Sequence, residues 1–96
     1  MRVVVSDTAK AELARQIATI RSLDPEAARR QKARISQAVA RLRDFPRMGK
    51  PGRIEGTREL VIANTPFLIV YDENPTRIEI LHILHGRQNW PEEASE

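Results

Sequence analysis

The hydrophobic pattern of this chain changes near Phe45-Pro46, from helical spacing before it to short strand-like runs after it. Two apolar stripes precede that point, at Ala9, Leu13, Ile17 and Ile20 and at Ala28, Ile35, Val39 and Leu42. Residues three or four apart lie on one face of a helix, so each stripe predicts an amphipathic helix. Between them, Asp24-Pro25 combines an N-cap residue with proline at the first helical position. We therefore predict a two-helix hairpin whose second helix ends near Asp44.

Four apolar runs predict β-strands around this hairpin. Arg2–Val5 precedes the helices, and the runs at 58–63, 66–71 and 77–84 follow them. Short turns separate the last three runs, so these strands should form a three-stranded antiparallel meander. The glycine-bearing stretch 47–56 is typical of a loop, with room for one short strand. The predicted fold class is α+β, with both helices packed on one face of a small, mainly antiparallel sheet.

Length and composition limit the chain to one small domain. We assign residues 1–90 to this domain and 91–96 to a short acidic tail that contains Glu92, Glu93 and Glu96. No window approaches the ~20 apolar residues of a membrane span. The chain also has no cysteine for disulfides or thiolate metal sites. We therefore expect a cytoplasmic protein without a membrane partner.

No arrangement typical of a metal or nucleotide cofactor occurs in the sequence. His82 and His85 are three residues apart, which on a strand places the two rings on opposite faces. Gly49-Lys50 is followed by Pro51 instead of the Ser or Thr of a Walker loop. We expect no cofactor, and any catalysis should rest on acid–base chemistry and charge stabilisation.

Basic side chains and one histidine are concentrated in two parts of the chain. The stretch from 47 to 58 contains Arg47, Lys50, Arg53 and Arg58 against Glu55, and the last strand continues into His85, Gly86, Arg87 and Trp90. Metal-free RNA cleavage needs such groups, because the ribose 2′-hydroxyl supplies the nucleophile while the protein moves protons and stabilises negative charge. We predict His85 as general acid or base and Arg58 and Arg87 as phosphate clamps.

Lys50 and Arg53 complete this candidate site as cations that would bind the flanking RNA backbone. Trp90 would stack on a base or, as the single tryptophan, cap the core under the helices. Locally positive surface also attracts acidic proteins, so the cations alone do not distinguish RNA from a protein partner.

Structural roles compete with catalysis at the other positions. Arg58 could pair with Glu59 or Glu79 on the sheet, and His85 could be a hydrogen-bonded turn residue. The second helix also carries a stripe of Arg30, Arg34 and Arg41 on roughly one face. Arginine favours helices, so such a stripe is either simply solvated or functional.

Three strand segments and the end of the chain together resemble the RelE/ParE superfamily of bacterial toxins. They are Arg58-Glu59-Leu60-Val61-Ile62, Phe67-Leu68-Ile69-Val70-Tyr71 and Ile80-Leu81-His82-Ile83-Leu84-His85-Gly86-Arg87, with Trp90-Pro91. The N-terminal strand, the helix pair and Gly49-Lys50-Pro51 fit the same family. The resemblance implies a small sheet packed on a helical hairpin, in agreement with the fold predicted above.

The resemblance also implies the toxin half of a type II toxin–antitoxin pair, held inactive in a hetero-oligomeric complex by its cognate antitoxin. The antitoxin should contribute an acidic, amphipathic segment that covers the basic face or the helical hairpin. RelE-type members cut ribosome-bound mRNA without a metal, whereas ParE-type members disable DNA gyrase. From the sequence we expect the first activity, with a non-catalytic ParE-type gyrase inhibitor as the alternative.

Several positions of this chain match functional positions of the family, and the resemblance implies the same roles for them. Lys50 and Arg53 match the basic loop of the family. Arg58 matches its strand arginine, and Arg87 matches the arginine at the end of the last strand. His85 falls where some ribonuclease members have a basic or acid–base residue.

Two positions depart from the family pattern. Trp90 occupies the approximate place of a tyrosine that serves acid–base chemistry in some RelE-type toxins. His82 stands where many relatives have arginine. Because an indole cannot exchange a proton at neutral pH, a ribonuclease built on this chain would depend on His85.

Overall fold

In the part of the chain that the structure describes, two helices and five strands form the domain, and one of these strands is a short one within the predicted loop. The computed structural model describes residues 1–74, 76–86 and 90. Its elements are β1 (Arg2–Val5), α1 (Asp7–Leu23), α2 (Pro25–Asp44), β2 (Lys50–Pro51), β3 (Thr57–Val61), β4 (Phe67–Glu73) and β5 (Arg77–His85). Arg87 and the predicted acidic tail at 91–96 lie outside the described residues.

The strands form one mixed sheet in the order β1-β5-β4-β3-β2. The pairs β2–β3, β3–β4 and β4–β5 are antiparallel, which confirms the predicted meander. β1 runs parallel to β5, with Arg2 opposite Arg77 and Val5 opposite Ile80. The α1–α2 hairpin packs on one face of this sheet, so the predicted α+β class is confirmed.

Side-chain caps fix the starts of both helices. Ser6 Oγ accepts a hydrogen bond from the N–H of Ala9 (3.1 Å), and Asp24 Oδ1 accepts one from the N–H of Ala27 (3.1 Å). Each bond satisfies an N–H group that a helix leaves without an internal partner in its first turn. In the described part of the chain, neither helix is long and apolar enough to cross a membrane.

The two faces of the sheet differ in what covers them. The helix-packed face carries the main core, which unites Ala9, Ile35 and Leu42 of the helices with Phe67, Ile69, Tyr71, Ile78, Ile80 and Ile83 of the sheet. On the opposite side, which we call the open face, Leu68, Val70 and Leu84 form a smaller cluster against Trp90. The alternation of side chains along β4 and β5 explains this division.

Polar side chains of α1 cover the free edge of β5. β1 pairs with β5 only as far as Ile80, so the backbone groups beyond that residue lack a neighbouring strand. Glu12 Oε1 accepts the N–H of Ile83 (3.0 Å), and Gln16 Nε2 donates to the Ile83 carbonyl (2.9 Å). These bonds satisfy the edge groups of Ile83 within the chain, so they are not available to an added strand.

Candidate functional site

Tyr71 holds the basic loop, which we define as residues 47–56, onto the helix-packed face of the sheet. The buried phenol accepts a hydrogen bond from the N–H of Gly49 (2.9 Å) and donates one to the Pro46 carbonyl (2.8 Å). A Cβ atom at Gly49 would lie 2.9 Å from the hydroxyl, so only glycine allows this approach. Burial raises the pKa of Tyr71, and the Gly49 hydrogen bond opposes that rise only in part. The phenol is therefore a neutral structural anchor.

Arg58 lies beneath the same loop and is bonded within the protein. Its Nη1 donates to the Gly49 carbonyl (2.7 Å) and its Nε to Glu73 Oε1 (3.2 Å). Only 18% of the side chain is exposed. The carboxylate partner is thus Glu73, and not Glu59 or Glu79 as considered from the sequence. Tyr71 of β4 lies opposite Arg58. Glu73 follows Tyr71 by two residues, so its side chain lies on the same face of the sheet, within reach of Arg58.

Lys50 and Arg53 lie on the other side of the sheet, around the buried carboxylate of Glu59. Lys50 is exposed and stands opposite Glu59 in the β2–β3 register. The N–H of Arg53 donates to Glu59 Oε2 (2.9 Å), and Arg53 Nη2 lies 3.2 Å from Glu59 Oε1. A wholly buried carboxylate requires such partners, so Glu59 fixes the position of Arg53 and of the loop around it.

Trp90 covers the apolar cluster of the open face. Its indole packs against Leu68, Val70 and Leu84. The ring centroid lies 4.7 Å from that of His82, with the planes tilted by 55°. The Trp90 carbonyl accepts a hydrogen bond from Arg53 Nη1. Trp90 therefore caps a hydrophobic cluster as one of the sequence interpretations held, but on the face away from the helices.

The two histidines lie on opposite faces, as their spacing predicted. On the open face, His82 contacts Trp90, and its Nδ1 lies 3.0 Å from Glu12 Oε2. His85 lies on the helix-packed face, where its ring meets Phe67 edge-on at a centroid distance of 6.3 Å. It lines a cavity of about 420 Å³ between the helices and the start of β4.

A second cavity, of about 260 Å³, opens beside the basic loop on the open face. Lys50, Arg53 and Glu59 supply its charged wall, and Val61 and Leu68 supply an apolar one. Val61, which borders this cavity, is 66% exposed. We call this cavity and its surroundings the open-face site. Cations beside exposed apolar side chains can bind an acidic macromolecule.

The structure brings together only part of the site predicted from the sequence. The open face holds Lys50, Arg53 and Trp90. Arg58 and His85 belong to the helix-packed face, and Arg87 lies outside the described residues. Among the residues the structure describes, no three potential metal ligands gather at one place. The catalytic roles given to these residues stay predictions.

Sequence reasoning missed the residues that position the basic loop. Tyr71 appears in the sequence only as an aromatic residue near the end of a strand, and Glu73 as part of a turn. For Glu59, in contrast, the sequence did contain a signal. This glutamate lies in an apolar strand next to Leu60, and its side chain shares a face of the sheet with Val61. A carboxylate at such a position must find a cationic partner if it is buried.

The fold and the open-face site define a small α+β protein with cations beside exposed apolar side chains, and comparison with known proteins identifies its family. The chain belongs to the ParE toxin family of type II toxin–antitoxin systems (parDE), whose family model matches residues 3–90. The resemblance to the RelE/ParE superfamily is thereby confirmed. An antitoxin is accordingly a partner of this chain.

Individual relatives agree with the family assignment. A protein of Sinorhizobium fredii (strain NBRC 101917 / NGR234) named "Putative toxin Y4kP" is 48% identical over 69 residues, which are 72% of this chain and 71% of that protein. A solved structure of the chromosomal ParDE TA system from P. aeruginosa is 25% identical, with a TM-score of 0.81. The match covers 88% of this chain and 95% of the other.

Proposed function

We propose that this chain is a toxin that inhibits DNA gyrase by binding it and does not cleave RNA. ParE-type members commonly act on gyrase, and the family model that matches is that of ParE. One observation carries the proposal: His85 and Arg58, an acid–base group and a phosphate clamp that RNA cleavage would need together, lie apart on the helix-packed face with a buried core residue between them. This reverses the order of preference drawn from the sequence.

The separation of Arg58 from His85 follows from the positions that they face along β4. Arg58 lies opposite Tyr71 and His85 opposite Phe67, and these two β4 residues are four apart. At the rise of a strand, four residues span about 13 Å. Buried Ile69 lies between them on the same face. An acid–base group and its phosphate clamp must reach the same substrate atoms within hydrogen-bond distance, so His85 and Arg58 are poorly placed to share one phosphate.

The open-face site suits a protein partner. It offers the cations Lys50 and Arg53 beside exposed Val61, and Ile54 of the same loop is 41% exposed. Protein interfaces combine apolar contacts with arginine and aromatic side chains in this way. Glu59 holds Arg53 in place beforehand, which reduces the conformational entropy lost on binding.

Two assays with the purified toxin distinguish the activities: DNA supercoiling by gyrase, and toeprinting of mRNA on ribosomes. We expect supercoiling to be inhibited and mRNA to stay intact. His85→Ala should inhibit as the wild type does, whereas Lys50→Glu should weaken inhibition at least roughly tenfold through charge repulsion. Lys10→Glu, at an exposed position on α1, is the matched control and should have no effect. Ribosome-dependent cleavage that His85→Ala abolishes, without gyrase inhibition, would overturn the proposal in favour of the ribonuclease.

A further inference from the structure

A row of arginines runs along one exposed side of α2. Arg30, Arg34 and Arg41 are all exposed, and their offsets place them within about 40° of one another around the helix axis. Gln37 is exposed on the same side. The row is about 16 Å long, because each residue step from Arg30 to Arg41 adds about 1.5 Å along the axis. We call these four residues the α2 stripe.

The arginines of the α2 stripe lack a counter-charge. Among the residues that the structure describes, none of the three forms an ion pair or donates a side-chain hydrogen bond. The two acids of α2, Glu26 and Asp44, lie about one turn beyond either end of the stripe, and Glu26 pairs with Arg29. Arg30 and Arg34 are four residues apart, a spacing at which like charges destabilise a helix. A polyanion bound along the stripe would relieve this repulsion.

The helical hairpin as a whole is the basic part of the molecule. Residues 7–44 contain nine Lys and Arg against five Asp and Glu, whereas the whole chain has a formal net charge of +3. The hairpin therefore carries more positive charge than the entire chain, and the remainder is slightly acidic. Such a field attracts a polyanion to the hairpin before any contact forms.

The surroundings of the α2 stripe suit a phosphate backbone. Ala33 and Ala40 are exposed beside it, and their short side chains let the helix approach a backbone while the longer arginines reach its phosphates. Double-stranded DNA carries one charge per about 1.7 Å of its axis, so the stripe would face roughly nine phosphate charges. A straight row of cations on a rigid helix matches this regular array, and arginine binds phosphate bidentately.

We propose that the α2 stripe binds the phosphate backbone of double-stranded DNA without reading its sequence. The choice of DNA among polyanions rests on the proposed function, because gyrase holds a DNA duplex while it supercoils it. The open-face site faces away from the helices, whereas α2 packs on the other face of the sheet. One toxin molecule can therefore contact gyrase through the open-face site and gyrase-bound DNA through α2.

Fluorescence anisotropy of a short labelled DNA duplex, titrated with the purified toxin, tests the binding. We expect Kd in the micromolar range at low salt, as for other sequence-independent contacts. The logarithm of the association constant should fall against the logarithm of salt concentration with a slope of about −2.7, the value for three neutralised phosphates. Duplexes of unrelated sequence should bind alike. Absence of binding, or a preference for one sequence, would contradict the proposal.

Replacement of the three arginines by glutamine tests the stripe itself. Glutamine is a good helix former, so the exposed substitutions should leave α2 folded, which circular dichroism checks. The triple variant Arg30→Gln, Arg34→Gln, Arg41→Gln should raise Kd for the duplex on the order of 10²-fold and nearly abolish its salt dependence. Each single variant should make the slope shallower by about one. A triple variant that folds and binds as the wild type does would overturn the proposal.

The matched control removes the same charge from exposed positions of α1. It is the triple variant Lys10→Gln, Arg15→Gln, Arg21→Gln. Offsets of five and six residues turn successive members to different sides of the helix, so these cations form no row. We expect a much smaller loss of affinity than for the stripe variant. Equal losses would show that net charge alone attracts DNA, and the stripe would then be no binding site.

Competition distinguishes DNA from the other polyanions that could occupy the stripe. Unlabelled DNA should displace the labelled duplex more effectively than double-stranded RNA or polyglutamate at the same concentration of charge. Equal or stronger displacement by polyglutamate would assign the stripe to an acidic protein, and by RNA to a ribonucleic acid partner; both results would refute the proposal. These measurements use no gyrase, so a failure of gyrase inhibition leaves them unaffected. Conversely, a toxin that inhibits gyrase without binding DNA would refute this inference alone.

Discussion

At the scale of single residues, the side chains beneath the basic loop shape the candidate site as much as its exposed cations do. Arg58 was assigned to a phosphate from its position in the sequence, yet its guanidinium bonds Glu73 and the Gly49 carbonyl. The sequence could not select the partner, because several carboxylates lie within reach of a strand arginine. The choice depends on the β3–β4 register, which long-range packing sets. In contrast, the opposite orientation of His82 and His85 follows from the strand period alone and was predicted correctly.

Ionisation of Tyr71 should lower the stability of the fold at high pH. Burial raises its pKa above the ordinary value near 10. Below that value both states are protonated, whereas above it the unfolded chain ionises first, so the free energy of unfolding decreases as pH rises toward the pKa of the folded state. Urea unfolding between about pH 8 and pH 11 measures this, and Tyr71→Phe is the control that removes this dependence.

Tyr71→Phe should also cost about 1–3 kcal/mol at neutral pH, because the Gly49 N–H and the Pro46 carbonyl lose their partner. Tyr71 is the only tyrosine, so the absorbance of the phenolate reports its titration directly. A titration midpoint at or below about 10 would show that the hydroxyl is not buried as described.

Arg58→Lys should destabilise the fold because a lysine cannot bond Gly49 and Glu73 from one planar group. We expect a loss of about 1–3 kcal/mol in the free energy of unfolding and faster amide exchange in the basic loop. Arg77→Lys is the matched control: its ion pair with Glu79 spans 3.6 Å and is 46% exposed on the arginine side, so its loss should cost less than about 1 kcal/mol. If both variants lost the same free energy of unfolding, the Arg58 side chain would be solvated and not bonded within the protein.

At the scale of elements, the local signals were sufficient for both helices and for the four strands β1, β3, β4 and β5. The cap at Asp24 lies where the sequence placed it, and Asn64, at φ 64°, forms part of the predicted β3–β4 turn. Asparagine tolerates this left-handed conformation better than most residues. Two features had no local signal. The parallel pairing of β1 with β5 joins strands more than 70 residues apart, and β2 exists only because β3 offers it an edge.

The Glu12 carboxylate should be necessary to keep the backbone at the free edge of β5 hydrogen-bonded. Glu12→Ala removes the acceptor of the Ile83 N–H and should cost about 1–3 kcal/mol, with faster exchange of that amide. Glu12→Gln keeps an oxygen in place and should cost less. Glu26→Ala provides the control, since Glu26 forms an exposed ion pair with Arg29 and its loss should stay within about 1 kcal/mol. Protection of Ile83 that survives Glu12→Ala would mean another group covers the edge.

At the scale of the whole molecule, the cations and apolar side chains of the open-face site gather where the sheet ends at β2 and β3. The site lies on the face away from the helices. Buried Glu59 holds Arg53 there, and Trp90 covers the apolar cluster beside it. The arrangement depends on β3, the basic loop and Trp90 together, so no single segment of the sequence could have predicted it.

Charge reversal at the open-face site should weaken gyrase inhibition without destabilising the fold. Lys50 is exposed and lines this site, so Lys50→Glu should change the free energy of unfolding by less than about 1 kcal/mol. Its inhibition of gyrase should also depend less on salt than inhibition by the wild type, because an attractive charge contact is lost. Supercoiling assays at several salt concentrations, read beside urea unfolding, give both quantities for each protein. If inhibition by the two proteins decreased equally with salt, Lys50 would not contact the target, and the open-face site would be wrongly assigned.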